Sequence, residues 1–199
     1  MARKTFTRVG VVVILGTLGL WFIAGYFGPS GETTNDVWEV TKSSDAFFAI
    51  RRSYEQVKVT GECWFTTVTN REEDSHTLVT LTGGYSPGTT TYNKQVLYMT
   101  ADVDEKGSRT LMTVSLRRND PGVQYKMVYY DEEGCVIFKV KEVPLLTMES
   151  WIGKCEMWAT KESAPGINST SPCEVRYKEL GCDTVETPYK PTCRDPVTD

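Results

Sequence analysis

Short segments in which apolar and polar residues alternate constrain the fold of this 199-residue chain more than any other feature. Alternation with period two is typical of β-strands that bury one face. Eight segments show it: Ala46–Tyr54, Cys63–Thr69, His76–Leu81, Thr91–Thr100, Thr110–Arg117, Val123–Tyr130, Cys135–Val140 and Lys154–Thr160. The links between them are mostly short and rich in turn residues. The sequence predicts an all-β antiparallel barrel or sandwich, and the count of strands favours the barrel.

Three further elements flank this series of strands. A short helix is expected around Trp38, capped by Asn35 or Asp36. Residues 172–180 begin with a proline and precede a glycine, a pattern that predicts a C-terminal helix. The link 143–153 is long enough for a flap over one end of a barrel. An eight-stranded barrel can be filled by its own side chains or can hold one small ligand.

Residues 1–28 are predicted to be a secretory signal peptide and not part of the fold. Three basic residues precede an uncharged, mostly apolar stretch that runs to Phe27. The cleavage site is not fixed by the sequence, and the stretch is long enough for an uncleaved signal anchor. Either alternative leaves 29–199, as a single domain, outside the cell or in a lumen.

Composition disfavours several classes of function. Without the leader the formal charge changes from 22 − 26 = −4 to 19 − 26 = −7, which disfavours nucleic-acid and anionic-membrane binding. The single histidine, His76, and the absence of any Cys-x-x-Cys spacing disfavour a metal site and most nucleophilic triads. The glycine-rich segment 83–88 is not followed by the Lys-Ser/Thr of a phosphate loop. We therefore expect a monomeric protein that is not an enzyme and that has no metal or cofactor.

All six cysteines lie in the predicted mature domain, at Cys63, Cys135, Cys155, Cys173, Cys182 and Cys193. An even number of cysteines in an oxidising compartment predicts disulfides rather than zinc ligands. Three bridges are expected, and fifteen pairings are possible.

The run Cys155–Trp158 suggests a binding pocket. Glu156 and Trp158 share one face of a strand because side chains alternate, and Val136 and Phe138 share a face of the preceding strand. If these faces point inward, the barrel contains a buried carboxylate, which needs a partner. A cationic amine, with Trp158 as a cation–π wall, is one possible partner. An internal arginine or tyrosine, with Trp158 in the core, is the other.

Additional candidate residues complete this set. Tyr54 and Tyr130 supply aromatic surface and join Glu156, Trp158, Phe138 and Val136 as the predicted ligand-binding residues. The sequon that begins at Asn168 lies in a Ser/Pro/Gly-containing loop and is a candidate glycosylation site.

These motifs resemble the tick salivary lipocalins, often called histamine-binding proteins. The resemblance lies in the helix that begins Asp36-Val37-Trp38, the 45–54 strand that ends in tyrosine, the strands Cys135-Val136-Ile137 and Glu156-Met157-Trp158, and the helix opened by Cys173. It implies an eight-stranded up-and-down lipocalin barrel with a short N-terminal helix and a C-terminal helix, stapled by disulfides. By this resemblance Cys63 pairs with Cys193 and Cys135 with Cys173, which leaves Cys155 for Cys182.

The sequence departs from the family motif in two places. Val136 stands where the motif has aspartate, and Met157 replaces the usual leucine, a change that conserves size. Amine-binding members line the cavity with acids and aromatics, whereas relatives without the aspartate can hold fatty acids, leukotrienes or sterols. The resemblance therefore implies a secreted protein that sequesters a host mediator and damps inflammation or haemostasis at the bite, with a lipid slightly ahead of histamine or serotonin.

A second class of function stays open. The same barrel can serve as an immune or complement modulator whose loops bind a host protein. A barrel filled with its own side chains would favour that class, and a continuous cavity that reaches Glu156 would favour ligand binding.

Overall fold

The structure, a computed structural model, describes residues 36–44, 46–55, 62–85 and 92–193. The predicted signal peptide, residues 1–28, lies outside the described residues. No helix within the described ranges is long and apolar enough to cross a membrane.

Eight antiparallel strands form a closed barrel in which each strand pairs with its neighbours in chain order and the last pairs with the first. The strands are β1 (Ala46–Arg52), β2 (Glu62–Glu72), β3 (Thr77–Tyr85), β4 (Tyr92–Asp102), β5 (Leu111–Ser115), β6 (Val123–Asp131), β7 (Cys135–Glu142) and β8 (Cys155–Thr160). The up-and-down barrel is thus confirmed over the sandwich. The largest difference in bounds is at β3, which extends four residues past the predicted end at Leu81.

A short N-terminal helix, α1 (Val37–Lys42), closes one end of the barrel. The Asp36 side chain caps it by accepting from the backbone N–H of Trp38 at 2.9 Å. Val37 and Val40 are buried and belong to the same apolar cluster as Met112, Val136 and other inward side chains. The helix therefore packs on the barrel interior at this end. The long link before β8 lies at the opposite end, where β8 begins.

The C-terminal helix, α2 (Pro172–Glu179), covers the outside of the barrel, as the alternation in the strands requires. Ile137 and Met157, on the outward faces of β7 and β8, are fully buried in one cluster with Tyr177 of α2. Gly181 follows the helix with φ +71°, a left-handed conformation that glycine adopts without strain.

Three disulfides fix the C-terminal segment to the barrel. They join Cys63 to Cys193, Cys135 to Cys173 and Cys155 to Cys182, the same three pairs that the family resemblance implies. Each bridge joins a strand to the segment that begins with α2, so the covering helix cannot leave the wall of the barrel while the bonds are intact.

A β-bulge in β1 determines which residues of that strand face the interior. The pairing with β8 runs from Ala49 opposite Trp158 to Arg51 opposite Met157, so Ile50 is the extra residue. Ile50 packs in the outer cluster, and strict alternation would then place Arg52 outside as well. The bulge reverses the alternation and brings Arg52 opposite Glu156, on the inner face.

The link between β7 and β8 contains a 3-10 helix, Leu146–Trp151, at the end of the barrel away from α1. The Trp151 ring packs on the Tyr54 ring at a centroid distance of 4.8 Å. Leu146 is exposed. The link is therefore held to the barrel by Trp151, in the position expected for a flap.

Candidate functional site

The interior of the barrel contains a cavity of about 120 Å³. Its wall is mainly apolar, with side chains that include Phe47, Leu78, Met99, Met112, Val136 and Phe138. A dry apolar cavity of about 150 Å³ can hold a molecule the size of benzene. The barrel is thus not filled by its own side chains, and the space suits a small ring or part of a larger ligand.

Glu156 lies in this cavity wall, and four side chains surround its carboxylate. Trp158 donates its indole N–H to Oε2 at 2.6 Å, and Tyr54 donates its hydroxyl to Oε1. Tyr125 donates to Oε1 at 3.4 Å, and the Arg52 Nε lies 3.7 Å from the same oxygen. Both oxygens of this carboxylate, which is 5% exposed, therefore already have protein partners.

Arg52 supplies the positive charge that balances Glu156. Its side chain is 3% exposed, and its guanidinium also lies 3.5 Å from Glu186. The guanidinium carbon sits over the Trp64 ring at 5.4 Å from the centroid, a cation–π geometry. Arg52 and Glu156 are the only charged side chains among the described residues that line the cavity, so its wall has no net charge.

The two tyrosines beside Glu156 remain protonated at physiological pH. Burial, and then the negative charge of Glu156, raise the pKa of Tyr54 well above its usual range. The same two causes, in the same order, raise the pKa of Tyr125. Both phenols consequently act as hydrogen-bond donors to the carboxylate.

A row of threonine hydroxyls forms a second polar part of the wall, on β2 and β3. Thr82 donates to the Thr66 hydroxyl at 2.9 Å, and Thr80 donates to the backbone carbonyl of Leu97 at 3.3 Å. All three threonines line the cavity and are buried. The wall thus presents an ion pair from β1 and β8 and uncharged hydroxyls from β2 and β3.

The structure brings together most of the predicted ligand-binding residues. Glu156, Trp158, Phe138 and Val136 all line the cavity. Tyr54 contacts Glu156 but is not among the lining residues. Tyr130, opposite Val136 in the ladder, packs half-buried against the apolar cluster near α1 and is also absent from the lining.

Glu156 has an internal arginine and tyrosines as partners, as one of the two alternatives expected, whereas Trp158 lines the cavity and is not confined to the core. Sequence reasoning did not identify Arg52. Because of the bulge at Ile50, an argument based on period two places Arg52 on the outer face and misses its inward orientation. The polar wall on β2 could have been predicted from the sequence. Trp64, Thr66 and Val68 are spaced two residues apart, so they share one face of the strand.

Asn168 lies in an exposed loop after β8. Its side-chain oxygen accepts from the backbone N–H of Thr170 at 2.9 Å and from the Thr170 hydroxyl at 2.7 Å. The sequon is therefore at the surface, and its glycosylation stays a prediction.

Comparisons with known proteins agree with this architecture. The family model described as "Tick histamine binding protein" matches residues 28–195. The solved structure of AM182 in complex with serotonin is similar at a TM-score of 0.55 and 13% identity, over 79% of this chain and 90% of that chain. Japanin from Rhipicephalus appendiculatus, bound to cholesterol, is similar at a TM-score of 0.49 and 14% identity, over 75% and 95% of the two chains. A comparison with proteins of curated function finds no significant match.

The identities to these solved structures are too low to transfer a ligand, and the likeness to AM182 shows the fold alone. The family match is evidence of family membership because it extends over most of the chain. On this evidence the chain belongs to the tick histamine-binding protein family and has the lipocalin fold.

Proposed function

We propose that this chain is a secreted salivary lipocalin that sequesters a small, mainly apolar and uncharged host mediator in its barrel. Family membership, the predicted leader and the disulfides support secretion. The cavity supports binding of a small molecule. Removal of a mediator at the bite would damp inflammation or haemostasis.

The observation that supports an uncharged ligand is the ion pair of Glu156, whose negative charge is balanced by Arg52. An ammonium ion is stabilised in a buried site by a carboxylate with free oxygen lone pairs and an uncompensated charge. Here Arg52 balances the charge, and three further donors occupy the two oxygens. The other acid of the family motif is replaced by Val136, which adds apolar wall.

The volume of the cavity limits how much of a ligand can enter while the side chains of the wall stay in place. About 120 Å³ suits a single ring or a short aliphatic segment. A long acyl chain or a sterol requires side chains of the wall to move. Met99 and Met112 are in the wall, and methionine side chains adapt readily to different shapes.

An amine such as histamine or serotonin is the second candidate. It is favoured by the common inward orientation of Glu156 and Trp158, which gives a carboxylate and an aromatic face in one cavity. In that case the ammonium has to compete with Arg52 for the carboxylate. A host-protein partner bound through the loops is the remaining alternative, and a cavity in place of a filled core favours it less.

Calorimetric titration of the secreted protein with histamine, serotonin and indole, the uncharged ring system of serotonin, tests the proposal. We expect indole to bind with a negative heat-capacity change, the mark of apolar burial, and the amines to bind far more weakly. Phe138→Leu should weaken binding, whereas Ile137→Val, on the outward face of the same strand, should not. Tight amine binding would support the second candidate, and no binding of any of the three would favour the host-protein alternative.

A further inference from the structure

We propose that the wall formed by β2 and β3 is a hydrogen-bonding subsite for one uncharged oxygen of the ligand, either a hydroxyl or a carbonyl. Trp64, Thr66 and Thr82 form this subsite, which lies beside the Arg52–Glu156 pair on β1 and β8, with the Arg52 guanidinium over the Trp64 ring. The inference rests on the proposed function, because it assumes that a small molecule occupies the cavity.

The first observation is the indole N–H of Trp64. Trp64 lines the cavity and is 5% exposed, yet its Nε1 has no hydrogen-bond partner among the described residues. The ring lies close to the backbone of β3, since a Cβ added at Gly84 would come within 3.3 Å of its Cδ2 atom. Arg52 covers the ring on its side of the wall. Buried donors without a partner are rare in proteins, so this one requires an explanation.

The second observation is the direction of the threonine hydrogen bonds. Each hydroxyl has one proton to donate. Thr82 uses its proton on Thr66, and Thr80 can use its proton on the Leu97 carbonyl. Thr66 accepts, and in the described part of the chain it donates to nothing. Its proton is therefore available on the same inward face of β2 as Trp64, about 7 Å further along the strand.

The two available donors determine the chemistry of the ligand group. An N–H and an O–H call for an acceptor oxygen, which an ammonium ion cannot provide. A carboxylate would bring a full negative charge into a wall in which the described residues supply a single charged pair that is already balanced. A hydroxyl or carbonyl oxygen satisfies the donors without adding charge, so an uncharged, oxygen-bearing ring or chain is the class of ligand that fits.

Toluene and p-cresol are suitable probes, because they differ by one hydroxyl, are uncharged at pH 7 and are small enough for the cavity. In an apolar site without a partner, the hydroxyl of p-cresol loses its hydrogen bonds to water, and p-cresol binds more weakly than toluene. With the subsite present, we expect p-cresol to bind more tightly than toluene by about fivefold in calorimetric titrations.

Three variants locate the effect. Trp64→Phe removes one donor, and the double variant Thr66→Val/Thr82→Val removes the hydroxyl donor of Thr66 together with the Thr82 hydroxyl that would otherwise replace it. Both keep most of the shape, so each should lower the p-cresol preference toward or below one. Thr67→Val is the matched control on the outward face of β2 and should leave the preference unchanged. The ratio of affinities is insensitive to a general loss of stability, because both probes report on the same folded protein.

The results that would overturn the subsite differ from the result that would overturn the proposed function. Binding of both probes with toluene equal or preferred would overturn the subsite and leave the proposed function standing. A p-cresol preference that survives in both Trp64→Phe and Thr66→Val/Thr82→Val would also overturn the subsite. Binding of neither probe would overturn the proposed function, and with it the subsite.

Discussion

At the scale of single residues, the Arg52–Glu156 pair is the feature on which the binding chemistry depends. Both side chains are buried, and a buried ion pair contributes little net stability once the cost of desolvation is counted. Removal of one partner is costly because the other charge remains buried alone. The pair therefore behaves as a unit that keeps the wall of the cavity neutral.

Glu156→Gln should destabilise the protein by about 3 kcal/mol, because the half-buried Glu186 is then the one counter-charge that the described residues give Arg52. The double variant Arg52→Met/Glu156→Gln should regain most of that loss. Equilibrium unfolding in guanidinium chloride with the disulfides intact measures both. If the double variant is less stable than Glu156→Gln by the full cost of Arg52→Met alone, the two residues are not coupled.

The raised pKa of Tyr54 predicts a loss of stability at alkaline pH. Below pH 10 the phenol is protonated in both the folded and the unfolded chain, so its contribution is constant. Above pH 10 the unfolded chain loses the proton and the folded chain keeps it. The free energy of unfolding should then fall with pH by about 1.4 kcal/mol per unit for this residue.

Tyr54→Phe removes this contribution and should make the alkaline decline shallower by that amount. Unfolding measured between pH 9 and pH 11 gives the slopes. Tyr98→Phe is the control, because that half-buried phenol lies on the outer side of β4 and not beside Glu156. Equal slopes in wild type and Tyr54→Phe would show that the Tyr54 phenol ionises normally in the folded protein.

At the scale of elements, the C-terminal segment depends on its disulfides for attachment to the barrel. The bridged cysteines are 130, 38 and 27 residues apart for Cys63–Cys193, Cys135–Cys173 and Cys155–Cys182. The loop-entropy relation then gives about 5, about 4 and about 3.5 kcal/mol for the three bonds.

Paired Cys→Ala variants should therefore lose stability in that order, as measured by denaturant unfolding. Peptide mapping under non-reducing conditions should first show the three pairs in the wild-type protein. A peptide that joins Cys173 to Cys182 would contradict the pairing. A Cys63/Cys193 variant that is the least affected of the three would contradict the entropic account.

Most elements could be predicted because their signals are local. Alternation predicts the strands, and Asp36 and the Pro172–Gly181 pattern predict the two helices. The candidate site was harder to predict from the sequence because it depends on tertiary geometry. The orientation of Arg52 requires the bulge in β1, and the hydrogen bonds of Glu156 require the exact register of β1, β6 and β8.

At the scale of the whole molecule, the barrel combines a covered outer wall with a small neutral cavity. Outward residues of β7 and β8 pack against α2, while inward residues of the same strands line the cavity. The helix α1 packs at one end, and the link with Trp151 lies at the other. This arrangement suits a protein that encloses a small molecule, and the balanced charges inside suit one that is uncharged.

The affinity of the wild-type protein for toluene relative to benzylamine tests this central claim most directly. The two molecules share a ring and one carbon, and benzylamine adds an ammonium that has to leave water. We expect toluene to bind at least about tenfold more tightly at pH 7, because Arg52 already balances Glu156 and no other lining carboxylate is described. Tighter binding of benzylamine than of toluene would contradict the account.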